Sequence, residues 1–244
     1  MKKKNTAYFI LAALALICIV GVLLMPPIPQ DPDYHHFSDA NTILNIPNFW
    51  NVVSNLPFLV IGVLGMIKLS SIVENRTSYF IFFLGITMVS IGSAYYHLDP
   101  NNHTLVWDRL PMTVAFMALL SILVGEFINL RLGRVMLVPA LIIGGLSILN
   151  WVLFDDLRFY GLVQFYPMLA IPIILIFFRS RYDLIGGYWL LLLAYIIAKV
   201  LEHFDHQTYD ALQYISGHTL KHLFAAMGLS ILLYTYLKRK KHLV

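Results

Sequence analysis

The chain is predicted to be an all-α polytopic membrane protein: a seven-helix transmembrane core preceded by one further N-terminal helix. Three observations predict this. Of the 244 residues, 59% are hydrophobic and only 12% charged, against about 25% charged in a soluble domain. The mean hydropathy is +0.74. Apolar segments near the ~20 residues that cross a ~30 Å hydrocarbon core recur along the chain, and they are far too long for barrel strands.

The elements follow in order. Lys2, Lys3 and Lys4 precede an apolar run over 7–25. A basic head before such a run marks a signal peptide or a signal anchor. The run is long for a cleaved segment, and Met25-Pro26-Pro27 is a poor cleavage site, so 1–25 is expected to remain as a first transmembrane helix. Residues 26–244 then form the second unit. Its first part, 26–48, is proline-rich and polar, with Asp31, Asp33, His35, His36 and Asp39, and reads as a loop. Seven apolar segments follow at 49–69, 78–97, 109–129, 134–153, 159–178, 184–202 and 214–237. The total is eight spans.

Basic residues set the orientation, because Lys and Arg favour the cytoplasmic side. With the N-terminus inside, the inner connections and ends hold 13 of the 17 Lys and Arg residues. Both termini are then inside. Glu126 falls at the inner end of its segment, where it is expected to snorkel or pair with Arg131. Lys221 is expected to snorkel to the outer interface. The basic residues form no face interleaved with aromatics, so the net charge of +4 does not indicate nucleic-acid binding. Cys18 is the single cysteine, which excludes an intrachain disulfide and a cysteine metal cluster.

One polar constellation stands out. Ser93 and His97 are four residues apart and share a helix face, as do His218 and His222. Asp108 follows eleven positions after His97. The charge-derived topology places all five at the outer ends of their segments. Ionisable groups inside a membrane are costly and mark function. Three imidazoles with an open fourth position suit a catalytic zinc. In that reading His97, His218 and His222 hold Zn2+, Asp108 carries the proton, and Ser93 donates to a developing oxyanion. Ser90, Glu202 and His206 are candidates to support the site from behind. A Ser93–His97–Asp108 triad is the other arrangement, but it puts nucleophile and base on one helix and leaves His218 and His222 idle.

The pattern Ser-x-x-x-His, Asp eleven residues on, and His-x-x-x-His in the last helix resembles the alkaline ceramidase family of membrane hydrolases. Ile46-Pro47-Asn48-Phe49-Trp50-Asn51-Val52-Val53-Ser54-Asn55-Leu56-Pro57-Phe58 is similar to the segment opening that family's first core helix. The Ser-Gly-His-Thr-Leu-Lys-His context of the last helix looks like prokaryotic members. The resemblance implies a seven-helix core, zinc on His97, His218 and His222, and hydrolysis of a ceramide-like amide to a sphingoid base and a fatty acid. The family's acidic N-terminal calcium site is only partly matched. Asp33 and Asp39 are the carboxylates available for Ca2+, and Asn48 stands where the family has a glutamate. The implied protein is a zinc-dependent intramembrane lipid amidase with its site toward the outer face. A zinc-dependent lipid esterase and a non-catalytic lipid receptor or sensor of the same fold are the alternatives.

Overall fold

The computed structural model describes residues 2–71 and 74–242. Its helices are α1 (Lys2–Leu24), α2 (Phe49–Val53), α3 (Leu56–Ile67), α4 (Arg76–Leu98), α5 (Asn102–Leu123), α6 (Leu130–Phe154), α7 (Arg158–Phe177), α8 (Gly186–His203), α9 (Asp205–Leu212) and α10 (Gly217–Lys238). Among the described residues there is no strand, only isolated bridges at Ile43–Ile46 and Tyr182–Lys241. Seven helices are long and apolar enough to cross a membrane. Helices α8 and α9, bent by 81° at Phe204, make an eighth span if taken together. The protein is thus the multi-pass, all-helical membrane protein that composition predicts.

The ends of α4 and α5 are set locally. Asn101 caps α5: its side chain accepts from the backbone N–H groups of His103 and Thr104, and Thr104 Oγ1 accepts from Asn101 N. This is a capping box, which fixes a helix start. The short turn makes α4 and α5 antiparallel neighbours, so His97 and Asp108 lie at one end of the bundle. Gly92 lets the two helices touch. A Cβ there would sit 1.8 Å from the carbonyl oxygen of Trp107. Pro111 lies one helical turn after Trp107 and has no N–H to offer that carbonyl. Backbone approach and helix defect therefore coincide beside Asp108.

At the other end of the chain Ser216 caps α10 by accepting from Thr219 N, which places His218 in the first turn. Gly217 fits that turn against α8, where a Cβ would meet Leu201 O at 2.1 Å. Helices α3, α4, α5, α7, α8 and α10 close a ring, each packed on its neighbours, while α6 lies outside on α5 and α7 and α1 lies outside on α7. Arg158 fastens α1 by donating to the carbonyls of Val22 and Met25. A positive group suits a helix C-terminus.

Glu126 does not pair with Arg131. It is buried, ion-paired with Arg239 at 2.6 Å, and accepts hydrogen bonds from Tyr79 and, at 2.8 Å, from Tyr188. The cause is local. Helix α5 passes into a π turn over Val124–Ile128, which shifts the last turn's register and aims Glu126 inward.

Candidate metal centre

His97 ends α4, and His218 and His222 occupy the first turns of α10. They meet inside the bundle. Their ring centroids are 4.9 Å apart for His97 and His218, 5.2 Å for His97 and His222, and 5.1 Å for His218 and His222. One nitrogen from each lies within 4.8 Å of the others, close enough to hold a metal ion. All three are buried, with 1%, 5% and 7% of their surface exposed.

The donors fit a metal. His97 Nδ1 and His218 Nε2 are buried with no hydrogen-bond partner, a state that folded proteins otherwise avoid. The tautomer of His222 follows from its neighbour. Ser54 Oγ donates its one hydrogen to Asn51 O at 3.1 Å and lies 2.8 Å from His222 Nδ1. With that hydrogen on Asn51 O, the oxygen accepts from Nδ1–H, and the Nε2 lone pair of His222 is then free for a metal.

Loop residues complete the enclosure. The edges of Phe37 meet the rings of His97 and His218 at centroid distances of 4.7 and 4.6 Å. Asn48 Nδ2 donates to His97 O at 2.8 Å. Asp205 accepts from His218 N at 2.6 Å and from Ser38 Oγ at 2.6 Å, tying the loop to both α9 and α10. Thr219 Oγ1 donates to Asn51 Oδ1 at 2.8 Å.

A cavity of about 180 Å³ opens from the centre into the ring. Ser93, Asp108 and His222 form part of its polar end, with Lys199, Glu202 and Lys221. Deeper walls are apolar, including Phe82, Leu119, Met168 and Leu191. Asp108 shares the cavity wall with Ser93, and the Ser93 hydroxyl and the charges of Lys221 and Arg109 act on its carboxylate. Arg109 is buried in an aromatic box, 4.5 Å from the ring centre of Trp151 and 5.0 Å from that of Tyr160. Tyr34 OH donates to Glu202 at 3.4 Å. Burial, reinforced by the Glu202 charge, pushes that phenol far above its usual range, so it stays a donor.

The structure therefore brings Ser93, His97, Asp108, His218 and His222 to one place. The remaining candidates are distributed differently. Glu202 faces the cavity. Ser90 Oγ donates to Asn55 O at 2.7 Å and braces α4 against the start of α3. His206 is exposed and lies 2.8 Å from Ser38 Oγ. Asp33 faces solvent beside His36, whereas Asp39 is fully buried and accepts from Asn41, so the two carboxylates do not share one environment. Among the described residues, no second cluster of three metal-ligating side chains exists.

Lys221 does not snorkel. It turns toward α8 and ion-pairs with Glu202 at 2.6 Å. Its position, three residues after His218 and one before His222, points it between the histidine face and α8. Residues missed in the sequence are Phe37, Ser54 and Asp205. Only Ser54 had a signal: Asn51, Ser54 and Asn55 put polar groups at i, i+3 and i+4 of an apolar segment.

Fold and centre define a class: a multi-pass membrane protein with a buried histidine triad that could hold a metal, beside a cavity with largely apolar walls. A family model described as Ceramidase matches residues 41–241, most of the chain. The chain belongs to the ceramidase family. It is accordingly a hydrolase of an amide C–N bond, and the family supports a ceramide-hydrolysing function. No curated protein matches it in comparison.

Proposed function

We propose that the protein is a zinc-dependent amidase that hydrolyses ceramide-like lipids within the membrane, at a site toward the outer, non-cytoplasmic face. The observation that carries this reading is the convergence of His97, His218 and His222, with His222 in the wall of a largely apolar cavity that Ser93 and Asp108 also line. The donor set is all imidazole, which suits zinc. Zinc bound there would supply an activated water near neutral pH and polarise the amide carbonyl.

The chain's own residues do the rest. The apolar walls take an acyl chain and exclude bulk water. Asp108 lines the cavity and holds the proton that must travel from water to the leaving nitrogen. Ser93, hydrogen-bonded to Asp108, keeps that carboxylate in place and offers a donor toward the reacting carbonyl. Ser54 orients His222. Phe37 covers the histidines from the loop side.

The test is metal content and ceramide turnover on one detergent-purified sample. One zinc per chain with turnover is expected for wild type, and loss of both for His97→Ala and His218→Ala. Ceramide hydrolysis that survives His218→Ala would refute the reading. Paired amide and ester lipids of equal chain length distinguish an amidase from an esterase by product, and stable unmodified lipid on metal-loaded protein would mark a receptor.

A further inference from the structure

Lys199 and Lys221 line the same cavity as Asp108 and His222. They share one carboxylate: Lys221 Nζ lies 2.6 Å from Glu202 Oε1, and Lys199 Nζ lies 2.5 Å from Oε2. Among the described residues, Glu202 is the only hydrogen-bond acceptor either ammonium reaches. An ammonium carries three N–H donors, so each lysine keeps donors beyond the one that Glu202 takes, with Lys221 the more buried of the two. Asp108, the other carboxylate in the wall, is engaged by Ser93 and has Arg109 beside it. In the cavity wall, Lys199 and Lys221 therefore share Glu202, and Asp108 is the one further carboxylate. Spare donors are costly among apolar walls.

Amide hydrolysis produces the group that would satisfy them. The C–N bond breaks, a water oxygen bonds to the carbonyl carbon, the nitrogen leaves with a proton, and the acid ionises. The new carboxylate forms beside Asp108 and His222, at the head of a chain lying in the apolar walls. We infer that Lys199 and Lys221 form a carboxylate-binding site for the fatty-acid product. This rests on the amidase reading. A carboxylate's two oxygens can take one donor from each lysine. Lys199 also lies 5.7 Å from the ring centre of Phe165 on α7, at the edge where α7 and α8 meet. The pair thus extends from the reacting end toward that edge.

The experiment is equilibrium binding of labelled hexadecanoate and hexadecanol to the full chain, without ceramide, at a pH where the acid is ionised. Wild type is expected to prefer the acid by about tenfold or more, the scale of one charge-assisted hydrogen bond. Lys199→Met combined with Lys221→Met removes that preference and leaves hexadecanol binding intact, which also reports a folded cavity. Glu202→Gln provides a second reading, because it removes the competing carboxylate and should tighten acid binding severalfold. A merely structural triplet would give weaker binding instead. Equal affinity for acid and alcohol in wild type, a preference that survives both lysine substitutions, or weakened acid binding in Glu202→Gln overturns the site even if ceramide is hydrolysed. Absent hydrolysis, with an acid preference that the lysine substitutions abolish, upholds the site and removes the amidase reading.

Discussion

Ser54 Oγ lies 2.8 Å from Nδ1 of His222 and 3.1 Å from the carbonyl oxygen of Asn51. One hydroxyl in the turn between α2 and α3 thereby braces a histidine on the last helix. Ser54→Ala leaves the ring free to rotate and to protonate at either nitrogen. Loss of such a supporting partner typically lowers metal affinity about 10–100-fold. Zinc competition with a chelator checks this, and unchanged affinity would remove Ser54 from the centre.

Gly92 carries the contact that sets α5 against α4. A methyl at this position overlaps the Trp107 carbonyl at 1.8 Å, and backbone cannot move aside cheaply. Gly92→Ala should cost about 1–3 kcal/mol, as overpacking does, and should depress turnover by moving Asp108 from Ser93. Gly145, with nothing within 4 Å, is the control, and Gly145→Ala should be neutral or slightly stabilising. Thermal unfolding of both variants decides the matter.

Glu126 and Arg239 are a buried pair at the end of the bundle remote from the histidines. Removing one member strands the other, at a cost of about 3–5 kcal/mol. Glu126→Ala should therefore lower the melting temperature strongly. Zinc stoichiometry of the protein that remains folded should be unchanged. A variant as stable as wild type would show that the tyrosines alone hold this end.

Acid should loosen the loop around residue 28. Asp156 is held down to about 2, from an ordinary 3.8, first by the side chain of Arg158. It also accepts from Ile28 N at 3.4 Å. Because the folded value is the lower one, its stabilisation is present above the ordinary value and is lost as pH falls toward the folded one. The stability difference between wild type and Asp156→Asn should be constant above about pH 5 and shrink below 3.8. A difference independent of pH would refute this.

Much of this was legible in the chain because a membrane leaves few options. Length and hydropathy give the spans. The i, i+4 spacing of His218 and His222, with basic residues assigning sides, brings His97 and Asp108 to the same level. The failures have one physical origin. Lys221 and Glu126 were read against water and headgroups, the default surroundings of a charge near a helix end. Their partners, Glu202 and Arg239, lie on other helices, and no local pattern announces such pairs. Phe37 was invisible for the same reason: its contacts with His97 and His218 span 60 and more residues. Asp33 and Asp39 were grouped through the calcium site that the resemblance implies, whereas burial separates them.

The three histidines are also far apart in time. His97 is synthesised with less than half of the chain made, and His218 and His222 only with the final helix. Until α10 enters the bilayer beside α3 and α8, the ring is open and one imidazole stands alone. A chain arrested before that step lacks the histidine triad, so the proposed metal-dependent cleavage would wait for complete insertion. The last helix thus works as a built-in assembly checkpoint, which arms the enzyme only when its scaffold is whole.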